Sequence, residues 1–260
     1  MSTAVTDRSD QLPAELRPWV ADMTSTAADD VPGEPYTFVP DPAAKLVLRT
    51  GAGGRRDAMV VGPRARASYH LGERPASCVR LSLAPGAARP LLGVPAADLA
   101  GRVVPLETLP GRTARRLADV VRDLAPEDLP RRLAELLPQR PPRDAELLRA
   151  GIAALSVADG AAPAQVAEVA RRLAVSERQL RNLFAEGVGL SPKHYARVDR
   201  VRHVLARADT ASWAELAADT GYYDQSHMTA DFRTLMGVPP HAFFTGRRPQ
   251  AGPCQRVSPG

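Results

Sequence analysis

Hydrophobic residues along the chain follow two different periods, and the change between them divides the sequence. From Tyr36 to about Leu109, short apolar runs alternate with turns that contain Gly and Pro, which predicts strands of about five residues. These runs are YTFVP, AKLVLRT, AMVVG, ASYHL and CVRLSL. From Arg112 onward apolar residues recur at helical spacing, interrupted by prolines between positions 126 and 142. The pattern predicts an α+β chain, in which an N-terminal β-rich domain, cupin-like or a small barrel, precedes an all-α domain.

Composition sets the remaining boundaries. The first 35 residues are rich in Asp, Pro, Ser and Thr, which favours a flexible segment. The predicted divisions are a flexible segment over 1–35, a β-rich domain over 36–110, a helical connector or dimerisation region over 111–160, an all-α domain over 161–246 and a flexible tail over 247–260. Leu117, Val120, Val121 and Leu124 form one helical stripe. This stripe suits either a dimer interface or the chain's own β domain, and we favour the latter.

The C-terminal third contains an internal repeat. Residues 169–192 align with residues 216–240, with Leu180 on Met228, Phe184 on Phe232 and Ser176 on Asp224. Each copy predicts a helix, a short turn, a second helix with an N-cap, a terminating glycine and a proline that begins the next helix. The paired glycines and prolines are Gly189 with Gly237 and Pro192 with Pro240. A helix, a short turn and a second helix with a free outer face form a DNA-reading unit.

The second helix of each copy has one apolar face and one polar face. At about 100° per residue, Leu180, Leu183 and Phe184 point inward in the first copy, as do Met228, Phe232 and Leu235 in the second. The predicted DNA-contacting residues are Arg178, Arg181 and Asn182 in the first copy, and Gln225, Ser226, His227 and Thr229 in the second. Arginine and asparagine suit guanine and adenine edges. Because Ala230 carries no charge and Asp231 adds a negative charge to the second helix, we expect this helix to contribute less base contact.

The segment between the copies predicts a spacer. Pro192 to Ala208 forms a helix about 25 Å long at 1.5 Å per residue, and successive major-groove faces lie about 34 Å apart. Allowing for the width of each unit, both recognition helices can enter successive grooves on one side of DNA. Lys193 and His241 lie just inside matching helix starts and are predicted phosphate contacts.

Residues 163–246 resemble the double helix-turn-helix domain of the AraC/XylS family of bacterial transcription regulators. The resemblance rests on VAEVARRLAVSERQLRNLFAEGVGLSPKHY and on LAADTGYYDQSHMTADFRTLMGVPPHAFF. The N-terminal part, with FVPD, VVGP, APGAARPLLGVPAADL and VVPLETL, resembles a β-rich sensor-like domain that precedes this module mostly in actinobacterial proteins. The resemblance implies a sequence-specific transcriptional regulator, activator or repressor, that is modulated through its N-terminal domain.

Composition weighs against catalysis and membranes. His70 is the one histidine of the β-rich half, which is too few for a His-rich metal site, and no Gly-rich phosphate loop, GxSxG, HExxH or paired CxxC occurs. We therefore expect no enzyme activity, no cofactor and no metal. The chain has no run of 18 apolar residues and no secretory signal pattern, so we expect a cytoplasmic protein with Cys78 and Cys254 reduced. The net charge of +5 permits a polyanionic partner.

Double-stranded DNA, as an operator or promoter, is the predicted partner. RNA polymerase, a small-molecule effector and a homodimer are left open as further partners. The alternative is a protein-interaction or small-molecule-binding module that has a helical dimerisation region and little specific DNA binding. A mobility-shift assay with genomic fragments separates the two.

Overall fold

The described strands, apart from the last one, lie within the first 105 residues, and the longer described helices follow them. The computed structural model describes residues 6–7, 12–27, 35–50, 56–71, 77–121, 124, 128–138, 144–157 and 163–253. The strands are β1 (Thr6–Asp7), β2 (Val20–Ala27), β3 (Tyr36–Phe38), β4 (Lys45–Thr50), β5 (Arg56–Val61), β6 (Ser68–Leu71), β7 (Ser77–Leu83), β8 (Val103–Pro105) and β9 (Gly252–Pro253). The helices are α1 (Ala88–Leu92), α2 (Ala96–Leu99), α3 (Arg112–Val121), α4 (Leu129–Leu136), α5 (Ala145–Leu155), α6 (Val166–Arg172), α7 (Glu177–Gly187), α8 (Pro192–Arg207), α9 (Trp213–Asp219), α10 (Gln225–Met236) and α11 (Pro240–Phe244).

Two sheets form the N-terminal half within the described ranges. The larger has six strands in the order β1-β2-β7-β4-β5-β8, with every neighbouring pair antiparallel, and the smaller has the order β3-β6-β9. Alternate residues of the large sheet, among them Leu46, Val60 and Leu81, are buried in one core together with Leu117 of α3. The opposite face carries a separate small cluster around Val47 and Met59. This arrangement confirms the predicted β-rich half followed by a helical half.

Strand β2 corrects the prediction of a flexible segment over residues 1–35. It pairs with β7 from Val20↔Leu83 to Ala27↔Ser77, and Leu16, Trp19 and Val20 are at most 3% exposed. The strand sequence VADMTSTA places polar residues at alternate positions, so a composition rich in Asp, Ser and Thr is compatible with a strand that has one buried face. The rest of that predicted segment lies outside the described residues, apart from residues 6–7, 12–19 and 35.

The C-terminal tail also departs from its prediction at two residues. Gly252 and Pro253 pair in parallel with His70 and Leu71 of β6, so this part of the predicted flexible tail is a strand. Residues 254–260 lie outside the described residues.

The helices between the two halves divide between two cores. Leu117, Val121 and Leu124 are buried in the core of the β-rich half, which confirms the packing that we favoured for this stripe. Helix α5 instead packs into the C-terminal core, where Leu148 and Leu155 are at most 1% exposed. The C-terminal core therefore begins with α5, and the predicted boundary at residue 161 lies one helix too late.

Neither a membrane-crossing helix nor a cluster of metal ligands is found among the described residues. No helix there is both long enough and apolar enough to cross a membrane. The same residues contain no group of three or more His, Cys, Asp or Glu side chains placed to hold a metal ion.

Candidate nucleic-acid interface

Two helix-turn-helix units make up most of the C-terminal core, and their second helices begin at the predicted caps. The first unit is α6 with α7, and the second is α9 with α10; we call α7 and α10 the recognition helices. The Ser176 hydroxyl accepts the backbone N–H of Gln179 at 3.1 Å, and the Gln179 side chain accepts the Ser176 N–H at 2.8 Å. Asp224 Oδ1 accepts the N–H of His227 at 2.7 Å. Both predicted N-caps are confirmed, because each satisfies an N–H group that the helix leaves without a partner.

The turns of the two units share one backbone conformation. Ala174 and Gly221, which the repeat pairs, have φ angles of 53° and 70°. This left-handed conformation costs a residue with a Cβ about 1–2 kcal/mol, whereas glycine adopts it readily. Both turns therefore contain a left-handed residue soon after the first helix ends, although only the second copy has glycine there and its turn is one residue longer.

Burial separates the two faces of each recognition helix as the periodicity predicts. Leu180, Phe184, Met228 and Phe232 are each 0% exposed, and Leu183 is half-buried. The opposite face of α7 presents Arg178, Arg181 and Asn182, all exposed. On α10 the side chains of Gln225, Ser226, His227 and Ala230 are exposed and that of Thr229 is half-buried. The outward faces are thus accessible to a partner, while the roles of these residues toward DNA remain predictions.

The two arginines of the first recognition helix differ in their surroundings. Arg181 lies one turn after Glu177, and its guanidinium is 2.6 Å from that carboxylate. Arg178 forms no ion pair with any other residue in the described part of the chain. Both members of the Arg181–Glu177 pair are more than 40% exposed, and such pairs contribute little stability. Arg181 can therefore exchange this carboxylate for a nucleic-acid acceptor at low cost.

A shallow concavity lies along the outer face of the second recognition helix. Its walls are Gln225, Ser226, Thr229, Ala230 and Arg233. Arg233 is exposed and adds a cation that the predicted set of contacts omits.

Tyr223 is a second residue that the sequence reading missed. It lies in the turn directly before the N-cap Asp224, and 93% of it is exposed. An aromatic side chain held open beside a recognition helix is available for contacts with sugar or phosphate. The sequence signal was the second aromatic of GYYD, since one tyrosine is sufficient to fill the core at this turn.

Asp231 does not face the outer surface, which corrects the expectation that it adds a negative charge to the reading face. It is 8% exposed and lies on the same side of α10 as Met228 and Leu235. Arg197 of α8 donates from Nε to Asp231 Oδ1 at 2.7 Å, and the Tyr222 hydroxyl donates to Oδ2 at 3.1 Å. Burial and the adjacent carboxylate raise the pKa of Tyr222, so the phenol remains a donor at neutral pH.

The spacer helix and the two predicted phosphate contacts occur where the sequence places them. Helix α8 has 16 residues from Pro192 to Arg207, and is therefore about 24 Å long. Lys193 and His241 are exposed in the first turns of α8 and α11. The structure thus leaves both side chains accessible, and their contact with phosphate remains a prediction.

Comparison with known proteins identifies the C-terminal domain. Residues 169–246 match a family model described as a helix-turn-helix domain. Similar solved structures include the following two. The C-terminal domain of AraT, a response regulator from Geobacillus stearothermophilus, is 20% identical with a TM-score of 0.37, covering 44% of this chain and 97% of that one. ToxT from Vibrio cholerae strain SCE256, bound to unsaturated fatty acid, is 10% identical with a TM-score of 0.43, covering 88% and 98%. No curated protein matches the sequence.

Proposed function

We propose, from the premise that residues 169–246 form an AraC-type helix-turn-helix domain, that the chain is a sequence-specific transcription regulator that reads two successive major grooves. The observation that carries the proposal is the pair of exposed outer faces on α7 and α10, in units joined by the 16-residue helix α8. A recognition helix contacts base edges with residues near its N-terminus, and these turns of α7 and α10 are exposed. Modulation through the N-terminal domain, a small-molecule effector, RNA polymerase contact and a homodimer remain predictions within this proposal.

Base reading is expected to be asymmetric between the units. Arg178 and Arg181 can each form two hydrogen bonds to guanine, and Asn182 can do so to adenine. Ser226 and Thr229 have short hydroxyl side chains, which more readily reach a phosphate or a thymine methyl. Arg233 and Tyr223 should give the second unit contacts with the sugar-phosphate backbone of DNA rather than with base edges. The first unit should therefore supply most of the sequence specificity.

Selection of binding sites from a random DNA pool tests the asymmetry. We expect one sharply defined block of a few base pairs and a second, less defined block about one helical turn away. Arg178→Ala should weaken binding by about 1–3 kcal/mol and relax sequence preference only in the sharp block. Ser226→Ala should cost less and affect all sequences about equally. Two equally sharp blocks, or a larger loss for Ser226→Ala than for Arg178→Ala, would contradict the proposal.

Salt dependence tests the phosphate contacts separately. Lys193→Ala should weaken binding to all sequences about equally and lower the slope of log K against log salt by about 1. Arg131→Ala is a matched control, because Arg131 is an exposed cation of α4 that pairs with Asp128 and Glu135. An unchanged slope for Lys193→Ala would remove that residue from the set of contacts.

The alternative, an interaction module with little specific DNA binding, has less support. The helical stripe that would mediate dimerisation is buried by the chain's own N-terminal core. A mobility-shift assay in which the full chain fails to discriminate selected from random DNA would nevertheless favour this alternative.

A further inference from the structure

The last turn of the first recognition helix lies against the N-terminal domain. The backbone N–H of Gly86 donates to the carbonyl of Gly187, the final residue of α7, at 2.9 Å. One residue earlier, Glu186 forms an ion pair with Arg89 of α1, in which Arg89 Nη2 lies 2.9 Å from Glu186 Oε2. The last four carbonyls of a helix have no partner within the helix, so Gly86 caps α7 from a distant part of the chain.

The second recognition helix ends in the same way against a different segment of that domain. The N–H of Ala67 donates to the Leu235 carbonyl at 2.7 Å, and the Tyr69 hydroxyl donates to the Met236 carbonyl at 2.6 Å. Leu235 and Met236 are the last two residues of α10. Both recognition helices therefore have C-terminal carbonyls that accept hydrogen bonds from the N-terminal domain.

The helix between the two units is attached as well. Arg202 of α8 donates from Nη1 to the Pro40 carbonyl at 3.2 Å and lies 3.6 Å from Asp41 Oδ2. Asp41 is 7% exposed and also pairs with Lys45 at 2.5 Å, so the position of this carboxylate is fixed by its own domain. The contacts thus reach all three parts of the double unit: α7, α8 and α10.

Glycines allow the close approach at the first of these contacts. A Cβ at Gly189, where φ is 83°, would lie 2.6 Å from the Ala96 carbonyl oxygen of α2. A Cβ at Gly187 would clash with Leu148 Cδ2 in the C-terminal core and would lie 3.2 Å from the Gly86 nitrogen across the junction. Backbone therefore meets backbone at this junction, which leaves little room for the two domains to shift relative to each other.

We propose that these contacts form a brace, made of Ala67, Tyr69, Gly86, Arg89 and Arg202 with their partners, that fixes the separation and angle of the two recognition helices. The brace leaves the outer faces of both helices exposed, so it is compatible with bound DNA. It thereby sets the spacing between half-sites that the chain accepts. This inference rests on the proposed function, since spacing has meaning only if both units read DNA.

The consequence for DNA follows from helical geometry. One inserted base pair moves a half-site by about 3.4 Å and rotates it by about 35° around the duplex axis. Two recognition helices on a flexible connection could follow that change, whereas two that are held by a common body could not. The brace therefore predicts that the full chain discriminates sharply between spacings that differ by a single base pair.

Binding to duplexes with altered spacing tests this prediction in the full chain. The duplexes carry the two selected blocks at their optimal spacing and with one base pair added or removed. We expect the wild-type chain to lose at least about 10-fold in affinity at either altered spacing, because contacts of one unit are lost. The double variant Tyr69→Phe/Arg89→Ala should lose no more than about 3-fold. Arg131→Ala, which removes an equally exposed arginine away from the brace, should behave as wild type. An equal spacing penalty in the wild type and the double variant would overturn the brace.

A measurement without DNA separates failure of the brace from failure of the proposed function. Spin labels at Arg178→Cys and Ser226→Cys, in a chain with Cys254→Ser, report the distance between the two recognition helices; Cys78 is 3% exposed and is protected from the label. The brace predicts a narrow distance distribution that broadens in the double variant and stays narrow with Arg131→Ala. An unchanged distribution in the double variant overturns the inference whether or not DNA binds. Broadening in the labelled double variant, together with no preference for selected DNA in the unlabelled wild-type chain, overturns the proposed function alone.

The single variant Tyr69→Phe tests the brace with a conservative substitution that should leave the protein folded. It removes one hydroxyl and retains the ring that packs on the C-terminal core. We expect wild-type thermal melting and an intermediate spacing penalty. Wild-type melting with a wild-type penalty and an unbroadened distance distribution would count against the brace.

Discussion

Replacing Asp231 by Asn tests whether a buried ion pair holds the second recognition helix on the spacer helix. The substitution preserves the size of the side chain and removes its charge. It leaves Arg197 without its partner at 2.5 Å and replaces a charged acceptor for the Tyr222 hydroxyl with a neutral amide. Because the guanidinium of Arg200 lies 4.8 Å from the centre of the Tyr222 ring, the substitution also disturbs a second contact between α8 and this unit.

The expected cost follows from the burial of each partner. Breaking a fully buried ion pair costs about 3–5 kcal/mol, because the remaining charge has no partner. Here the Asp231 side chain is 9% exposed but that of Arg197 is 26% exposed, so the arginine regains some hydration. A hydrogen bond to a charged group contributes about 1.5–3 kcal/mol, which sets the scale for the partly solvated pair. We therefore expect Asp231→Asn to lower the free energy of unfolding by about 2 kcal/mol.

Urea denaturation of the full chain, followed by circular dichroism, measures this loss. Glu168→Gln is the matched control, because Glu168 and Arg172 form an ion pair whose side chains are 38% and 62% exposed. An exposed pair of this kind should cost less than about 1 kcal/mol. A cycle with Arg197→Met should give a coupling energy of about 0.5–3 kcal/mol between the two positions. A cost for Asp231→Asn no larger than that of Glu168→Gln, or a coupling near zero, would refute the role assigned to this pair.

Three further predictions concern the helical core. Phe184→Ala should lower the free energy of unfolding by about 3–5 kcal/mol, since the ring is 0% exposed, and unchanged thermal melting would show that the ring is not in the core. A fragment that begins at residue 161 should unfold at lower urea concentration than one that begins at Asp144, because only the longer fragment contains α5; equal midpoints would place α5 outside the core. Ala174→Gly should change the free energy of unfolding by no more than about 1 kcal/mol, because the relief of left-handed strain is partly offset by the flexibility of glycine in the unfolded chain. Gly221→Ala should lower the free energy of unfolding, because alanine is strained at this positive φ, and equal losses for the two variants in calorimetry would contradict this.

The elements of the C-terminal domain could be predicted because their determinants are local. Ser176 and Asp224 satisfy N–H groups three residues away, and Pro192 and Pro240 begin the helices that follow. The repeat also strengthens each prediction, because a cap, core position or helix end predicted in one copy has an equivalent in the other. The inward and outward faces follow from the 3.6-residue period alone, and burial agrees with them.

Other features depend on residues that are distant in the sequence, and their patterns were weak. The polar composition of β2 favours a flexible segment over a strand, and its pairing with β7 depends on residues that are far away in the sequence. Helix α5 lies within the predicted connector. Periodicity shows that the helix has an apolar face, but not whether that face packs into the N-terminal or the C-terminal core. Asp231 was read as an exposed charge, whereas its partner Arg197 lies 34 residues earlier on another helix.

The two units of the repeat have similar helices and caps, but they contact different segments of the N-terminal domain. The first recognition helix ends on Gly86 of the N-terminal domain, and the second ends on Ala67 and Tyr69 of the same domain. Only the second unit has the buried pair that joins its recognition helix to α8 through Asp231. Because Arg178 and Arg181 lie on the first recognition helix and the buried ion pair lies in the second unit, we expect the first unit to supply most of the sequence specificity. The second unit would then act mainly through its fixed position, and the single-base-pair spacing experiment measures how strictly that position is held.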